Sequence, residues 1–535
     1  MSAKRKVIKR LKEQTKDINP LFAMPECEPL RTKETAKIIL DALKQGNVIM
    51  IAGDYDLDGM TATTVLYDFL SNTKWGKQVS YLIPSRIKDG YGISKNIVDY
   101  ALARGADMIV TVDNGISAVE AVDYANNKGV RVVITDHHTA PAILPKAEVI
   151  LNPKLDGYTE EFPYWEISGA TVAWFLVRRI NSLLEKQEKQ DVDKYLDLVG
   201  ITVISDVMPI RDINVFLVNQ ALDSIKKLKR RIYTYFWNKW SAVVVDVESI
   251  AFGYVPYLNA IGRLGDANYA VEFMLSKDKG IIHSLYNYAN KINGVSKNLK
   301  LQYKNEAVKK IGDIGDAKCI VYKNKQFHEG IVGIIAGKLA EHYGVPAYVF
   351  TYSEEKGVWK GSGRTVGDVH LFDLTSQAKK HILGYGGHKG AVGLAIKDRD
   401  FESFSKLVKD AAARLSNKLF IDKSLIPIEA TLAEMTPDLF EKVLEFGPFG
   451  HENKEPYFKI KGCIKEVKKI KKEHAKAVIY DKDGNAQEAL FFFVDQDHLI
   501  QIAKQKKEVE ILVKGMKGYD VTIKDFGWSL NAKVI

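Results

Sequence analysis

A chain of 535 residues exceeds one ordinary hydrophobic core and divides into about two to four domains. With 46% hydrophobic residues, 27% charged residues and only 15 prolines, it is neither a disordered tail nor a fibre, and it buries sizeable cores. The 77 Lys and Arg outnumber the 67 Asp and Glu, a net charge of +10 that suits a polyanionic partner without requiring one.

The amino-terminal MSAKRKVIKRLKEQ is basic, with no apolar block or small-residue cleavage site behind it. It reads as a solvated arm and not as a secretory signal. From residue 34 to about 206, apolar strand-like runs alternate with helical periodicity, the pattern of a parallel sheet covered by helices. The runs are NVIMIAG (47–53), KQVSYLIP (77–84), ADMIVTVDNG (106–115) and VRVVITDHH (130–138). A charged, helix-periodic segment over about 266–312 predicts a long connecting helix broken near Gly294. KCIVYK, EGIVGIIAGKLAEHY and VPAYVFTY then predict a second, smaller α/β domain, and after about 422–426 short alternating runs (PYFKIKGCI, KAVIYDKDGN, QEALFFFV, EVEILVKGM, YDVTIKDF) predict a small barrel.

Cys27, Cys319 and Cys463 lie far apart, without the spacing of a zinc site or disulfide framework. A reducing, cytoplasmic setting is expected. The longest apolar runs, at 47–52 and 490–494, fall short of the roughly 20 residues that cross a bilayer, so no membrane is among the expected partners.

The chemistry gathers where apolar runs end. After the first comes GDYDLDG, with Asp54, Asp56 and Asp58 at alternate positions; in an extended segment these share one face. Such close anions need a multivalent cation or an equal count of basic partners. A solvated turn or calcium loop is the alternative, although Gly59 and the helix-like stretch that follows, without a closing glutamate, depart from the calcium hand. Further along stand Asp113-Asn114-Gly115 and Asp136-His137-His138, and the apolar run LVGITVIS delivers Asp206. Singly each could be a turn or a cap. Together they aim hard oxygen ligands and imidazole into the crevice where open α/β sheets bind ligands. That donor set suits Mn2+ or Mg2+, two of which form a clamp for in-line attack at phosphorus.

In order, GDYDLDGMTA, VDNGIS, DHH and SDVMPI resemble the four motifs of the DHH phosphoesterases. Within that superfamily YLIPSRIKDGYG (81–92), PYLNAIGRLGDA (256–267), FHEGIVGIIAGKLAEHY (327–343), GSGRT (361–365), GYGGHKGAVG (384–393) and FGPFGHENKEP (446–456) resemble the RecJ-type exonucleases. After the basic arm (1–33), the resemblance, which runs from about residue 47 to the end, implies a DHH catalytic domain (34–265), a connecting helix (266–312), a DHHA1 substrate-binding domain (313–422) and an OB-fold (423–535). It implies that Asp54, Asp56, Asp58, Asp113, His137 and Asp206 hold two Mn2+ or Mg2+ ions, with Asp136 and His138 catalytic beside them and His138 on the scissile phosphate. Arg86, Arg263 and Arg364 would bind phosphates. His388 would lie against substrate across the cleft, and Tyr91, Asn259, Ser362, Gly386 and Gly387 would contact DNA. Thr365 and Val392 depart from the serine and alanine usual in these motifs.

The implied activity is 5′-to-3′ hydrolysis of single-stranded DNA to mononucleotides in repair or recombination, with a single-strand-binding protein and a helicase as partners. A short-oligonucleotide or cyclic-dinucleotide phosphodiesterase is the alternative, and a silent DHH scaffold a third. Outside the motifs, Lys226, Lys227, Lys229, Arg230 and Arg231 precede Tyr233, Tyr235, Phe236, Trp237 and Trp240, rings that could stack bases or form a buried helix face. On the barrel, Lys461, Lys465, Lys468, Lys469, Lys471, Lys472 and Lys476 form a denser patch suited to a nucleic-acid backbone. Grip and catalysis are therefore expected to be separable by a stop near Lys423.

Overall fold

The computed structural model describes residues 2–18, 28–85, 92–155, 164–240, 245–354, 356–387, 389–420, 427–470, 474–492, 494–520 and 525–534. The side chains of 17, 18, 237–240, 517–520 and 525–528 are outside that description. The chain forms two compact units, one of Met1–Gly262, Asp266–Tyr286 and Leu425–Ile535, the other of Arg263–Gly265 and Asn287–Ser424.

The amino-terminal segment is a helix, α1 (Ala3–Ile18), and not a solvated arm. Its basic residues flank a stripe of Ala3, Val7 and Leu11, spaced four apart and fully buried. After α2 (Thr32–Lys44) the first unit is built on a parallel sheet: β1 (Ile49–Ala52), β2 (Val79–Leu82), β3 (Met108–Val112), β4 (Arg131–Thr135) and β5 (Val149–Leu151), in the order β2-β1-β3-β4-β5. Every pairing is parallel. β1 and β3 are buried along their whole length, as expected for strands covered on both faces. The strand order reverses between β1 and β3, which makes the crevice beyond their carboxyl ends the natural ligand site of the fold.

The helices α3 (Leu57–Ser71), α4 (Lys95–Ala103), α5 (Val119–Asn127) and α6 (Gly169–Leu183) follow. The apolar run before Asp206 is also helical, α7 (Leu196–Ser205). It is apolar all round because it is enclosed by protein, and a short enclosed helix has no periodicity to read. The unit continues through α8 (Ile213–Lys226), α9 (Arg231–Trp240), α10 (Val247–Ser249), α11 (Val255–Leu264) and α12 (Asn268–Leu275).

The connecting helix α13 (Lys279–Ile311) runs for 33 residues straight through Gly294. The expected break lies instead at 276–278, where the Asp278 carboxylate accepts the Ile281 N–H. A single glycine costs an exposed helix only about 1 kcal/mol relative to alanine, too little to stop a long one. The second unit then pairs β6 (Ile320–Lys323), β7 (Ala347–Ser353), β8 (Val358–Arg364), β9 (Gly384–Gly387) and β10 (Ala391–Lys397) in the order β6-β7-β8-β10-β9, with α14 (Glu329–Tyr343), α15 (Leu371–Ser376) and α16 (Phe401–Ala413). Only β6 and β7 run parallel.

Back in the first unit, β11 (Ile428–Glu429), α17 (Pro437–Leu444), β12 (Phe458–Ile470), β13 (His474–Tyr480), β14 (Ala486–Phe492), α18 (Gln496–Gln505), β15 (Val509–Asp520) and β16 (Asp525–Val534) complete the chain. The order β11-β12-β13-β14-β16-β15, closed by a β12–β15 pairing, makes a barrel. Most of the expected runs are its strands, but YDVTIKDF straddles the end of β15 and the start of β16. The interior of the barrel and the apolar stripe of α1 form one core. No helix among the described residues is long and apolar enough to cross a membrane.

Candidate metal centre

The acidic loop does not stay extended past β1. Asp56 is the amino-terminal cap of α3, accepting the N–H groups of Asp58 at 3.0 Å and Gly59 at 3.1 Å, so Asp58 already lies in the first helical turn. A carboxylate suits that position because it satisfies orphan N–H groups and complements the helix dipole. The expected shared face of an extended strand is thus replaced by a turn, but the carboxylates still converge. Asp58 accepts the N–H groups of Gly169 at 2.6 Å and Ala170 at 2.9 Å, the first residues of α6. Ser168 caps that helix and hydrogen bonds to the Thr202 hydroxyl at 2.7 Å. Gly169 is needed for space, since a Cβ there would lie 2.4 Å from Asp113 Oδ1.

Asp113 follows β3 in a left-handed conformation with φ 62°. The next residue fixes the turn: buried Asn114 donates to Ala52 O and Val112 O and accepts from Ile93 N–H. At the end of β4, Asp136 Oδ1 accepts the N–H groups of His137 and His138 and contacts His138 Nδ1 at 2.7 Å, while Oδ2 accepts from Ile116 N–H. Asn152 donates to His138 O at 2.9 Å. Asp206 stands at the carboxyl end of α7.

The Nε2 of buried His137 lies 3.1 Å from Asp113, 3.6 Å from Asp206 and 3.7 Å from Asp58, and it makes no hydrogen bond. Ligand atoms of Asp58, His137 and Asp206 fall within 4.8 Å of one another, as do those of Asp54, Asp56 and Asp113, and those of Asp113, His137 and His138. Burial, and then the neighbouring aspartates, push Asp113 and Asp206 well above the usual carboxylate range. Burial and Asp56 lift Asp58 to about 6. Burial holds His137 well below its usual value, which keeps it a neutral imidazole with a free lone pair. Burial opposes a charged His138, but the Asp136 carboxylate outweighs it and raises His138 to about 9. The same pairing draws Asp136 down to about 2 against its own desolvation. Carboxylates that repel one another around a neutral imidazole are a donor set completed by hard divalent cations.

The remaining expected residues divide three ways. Arg86, Tyr91 and His388 lie outside the described residues. Asn259 is turned to the protein: its Oδ1 accepts the Leu57 N–H at 2.8 Å, tying α11 to the acidic loop. Arg263, Ser362, Arg364, Gly386 and Gly387 belong to the second unit. There Arg364 donates to Ser362 Oγ at 3.1 Å and to Gly363 O at 2.8 Å. Consecutive turns of α14 bring Gly330 beside Arg263 O and Gly333 beside Ser362 and Arg364. GSGR ends strand β8, and Gly386 and Gly387 lie on edge strand β9, so neither motif is a simple turn.

In the basic and aromatic segment, Arg230 and Tyr233 both bind the Asp197 carboxylate, and Tyr233 and Phe236 are buried. These residues hold the fold. Lys461, Lys465, Lys468 and Lys469 are exposed along β12, Lys469 and Lys476 being paired with Asp497 and Glu488; Lys471 and Lys472 are outside the described residues. Sequence reasoning named Asn114 only as part of a motif, without its turn-fixing role, and missed Asn152, Gly169 and Ala170. The signal for the last two was the cap signature of Ser168 before an apolar helix.

The family models "DHH family, N-terminal domain", "DHHA1 domain" and "RecJ OB domain" match residues 48–202, 316–414 and 426–515. The "Single-stranded-DNA-specific exonuclease RecJ" of Dickeya dadantii is 30% identical over 509 residues, covering 90% of this chain and 86% of the relative. The Escherichia coli protein of that name is 30% identical over 84% of this chain and 81% of its own. That of Bacillus subtilis is 31% identical over 84% of this chain, which spans 57% of its length. Among solved structures, an exonuclease RecJ bound to manganese aligns with TM-score 0.61 and 28% identity over 74% of this chain and 98% of its own. The RecJ of Thermus thermophilus in complex with Mn2+ shares the fold, with TM-score 0.76 at 24% identity over 96% of this chain and 72% of its own.

Proposed function

The chain belongs to the RecJ family, and on that premise we propose that it is a metal-dependent exonuclease that hydrolyses single-stranded DNA from the 5′ end and releases mononucleotides. The observation that carries the chemistry is the convergence of Asp58, Asp113, Asp206 and hydrogen-bond-free His137 Nε2 beyond β1, β3 and β4. Asp54, Asp56, Asp58, Asp113, His137 and Asp206 would hold two Mn2+ or Mg2+ ions. When bound there, the ions supply positive charge at the scissile phosphate and make water nucleophilic near neutral pH.

The protein supplies the rest. Asp136 orients His138 and keeps it protonated, so that its outer face carries a positive charge and a proton donor toward the phosphate. The N-terminus of α6 and the cap of α3 hold the carboxylates against their mutual repulsion. Arg263, Arg364 and Ser362 form a separate phosphate-binding group in the second unit, and the exposed β12 lysines track the backbone of a longer strand. Residues 34–265 then carry the chemistry, 266–312 connect, 313–422 bind substrate and 423–535 bind nucleic acid. Work in DNA repair or recombination beside a single-strand-binding protein and a helicase, in the reducing cytoplasm, accords with free Cys319 and Cys463.

The test is digestion of end-labelled single-stranded DNA and RNA in Mn2+, in Mg2+ and in chelator. Expected are mononucleotides released first from the 5′ end of DNA, and no product in chelator. Label released first from the 3′ end overturns the polarity, and full hydrolysis in chelator overturns the metal chemistry.

A further inference from the structure

Asp206 is held from its amino-terminal side by α7: its N–H donates to Thr202 O at 2.9 Å, and Met208 N–H donates to Val203 O at 2.9 Å. Between these two anchors Val207 is left-handed, with φ 55°. A β-branched residue is strained in that region. Its side chain is 60% exposed, so little packing of its own offsets the strain. The Val207 N–H to Ile204 O bond at 3.4 Å and the Met208 N–H to Val203 O bond close the turn from the α7 side, and the contacts beyond the loop hold it from the other.

Two contacts hold the far side of the loop. Buried Asn214 donates to Pro209 O at 2.9 Å and Glu166 O at 2.7 Å. Ile210 N–H donates to His451 O at 2.8 Å, within the FGPFGHENKEP segment that leads into the barrel. Gly450 lies flat on Ile210, and a Cβ there would meet Ile210 Cγ1 at 2.8 Å. Arg211 and Glu452 approach to 3.8 Å. The segment is organised by Asn453, which is 2% exposed. Its amide donates to Phe446 O and Pro448 O, its backbone O accepts from Gly450 N–H, and its Oδ1 accepts from Gln14 of α1 at 2.6 Å.

We infer that the 446–453 segment is a positioning element of the metal centre: through the His451 carbonyl it keeps the Asp206 loop in its left-handed turn, with Asn453 as the residue that sets its shape. The inference rests on the reading of Asp206 as a metal-holding residue. It makes the barrel part of the catalytic apparatus as well as a grip on nucleic acid.

The test is calorimetric titration of Mn2+ into the full chain for wild type, Asn453→Ala, Gln14→Ala and the double variant Asn453→Ala/Val207→Gly, with circular dichroism as the control for folding. Asn453→Ala is expected to weaken Mn2+ binding about five- to thirtyfold, the scale of one residue's left-handed strain. Gln14→Ala should act in the same direction and less. Glycine adopts the left-handed turn without strain, so the double variant should recover most of the lost affinity, which a merely structural role for Asn453 would not produce. Folded Asn453→Ala with wild-type affinity, or no recovery in the double variant, overturns the inference. If Asn453→Ala does not fold, Gln14→Ala decides alone, and unchanged affinity there overturns it. A wild type without saturable Mn2+ binding overturns the metal reading itself, and the inference with it.

Discussion

Asp113 and Asp136 both end strands of the same sheet, yet they have different work. Asp113 is pressed among other carboxylates and beside His137, so its loss removes charge from the cluster. Asp113→Ala is expected to lower the exonuclease rate by at least about a hundredfold, beyond the usual outer-partner loss. Binding of single-stranded DNA, read by fluorescence anisotropy in chelator, should stay near wild type. Asp136 instead uses both oxygens on N–H groups and the His138 ring. Asp136→Asn places a donor against donors and should cost about ten- to hundredfold in single-turnover rate; an unchanged rate would remove Asp136 from the mechanism. The DHH motif was legible in the sequence, but this division of labour was not. It depends on which way a carboxylate turns after its strand ends, and that is set from outside the motif: by the Ile116 N–H for Asp136 and by the space that Gly169 leaves for Asp113.

At the scale of elements, helix ends do much of the positioning. Gly169→Ala would push a methyl into Asp113 while leaving the α6 sequence a good helix. Mn2+ affinity by calorimetry is expected to fall more than about tenfold, with thermal stability lowered less than a core truncation would lower it. On α13, half-buried Lys300 is pulled down to about 8 from 10.5 by burial, then by Arg263, Lys338 and Lys297. Its charged form is disfavoured in the folded state, so the unfolded chain holds more proton between those values and stability rises with pH across that window. Lys300→Met should therefore raise Tm at pH 7, and the gain should vanish by about pH 10.5. An equal gain at both pH values would mean that Lys300 acts through packing alone. The strands bearing the acidic motifs were readable because a buried parallel strand is a short apolar block between turn signals. β5, with the three residues Val149–Leu151, was too short to read, and α7 was apolar on every side.

On the scale of the whole molecule, the barrel shares one compact unit with the acidic sheet and one apolar core with α1. The expected separation of grip from catalysis at Lys423 does not fit this arrangement. A chain stopped there leaves Val7 and Leu11 in water and releases the His451 contact to Ile210. Its soluble yield and its hydrolysis of short oligonucleotides should both fall sharply, and an active, monodisperse truncation in gel filtration would refute that. The sequence disclosed a basic start, read as a solvated arm, and a β-rich end, but it held no local sign that they meet. That meeting also imposes an order on synthesis. The Ala3 N–H donates to Glu434 Oε1, 431 residues further on, so at roughly 5–20 residues per second α1 leaves the ribosome some twenty to ninety seconds before its partner exists. For that interval the second unit, nearly contiguous in sequence, can close, while the apolar stripe of α1 remains a client for chaperones, and the first segment made is among the last to fold.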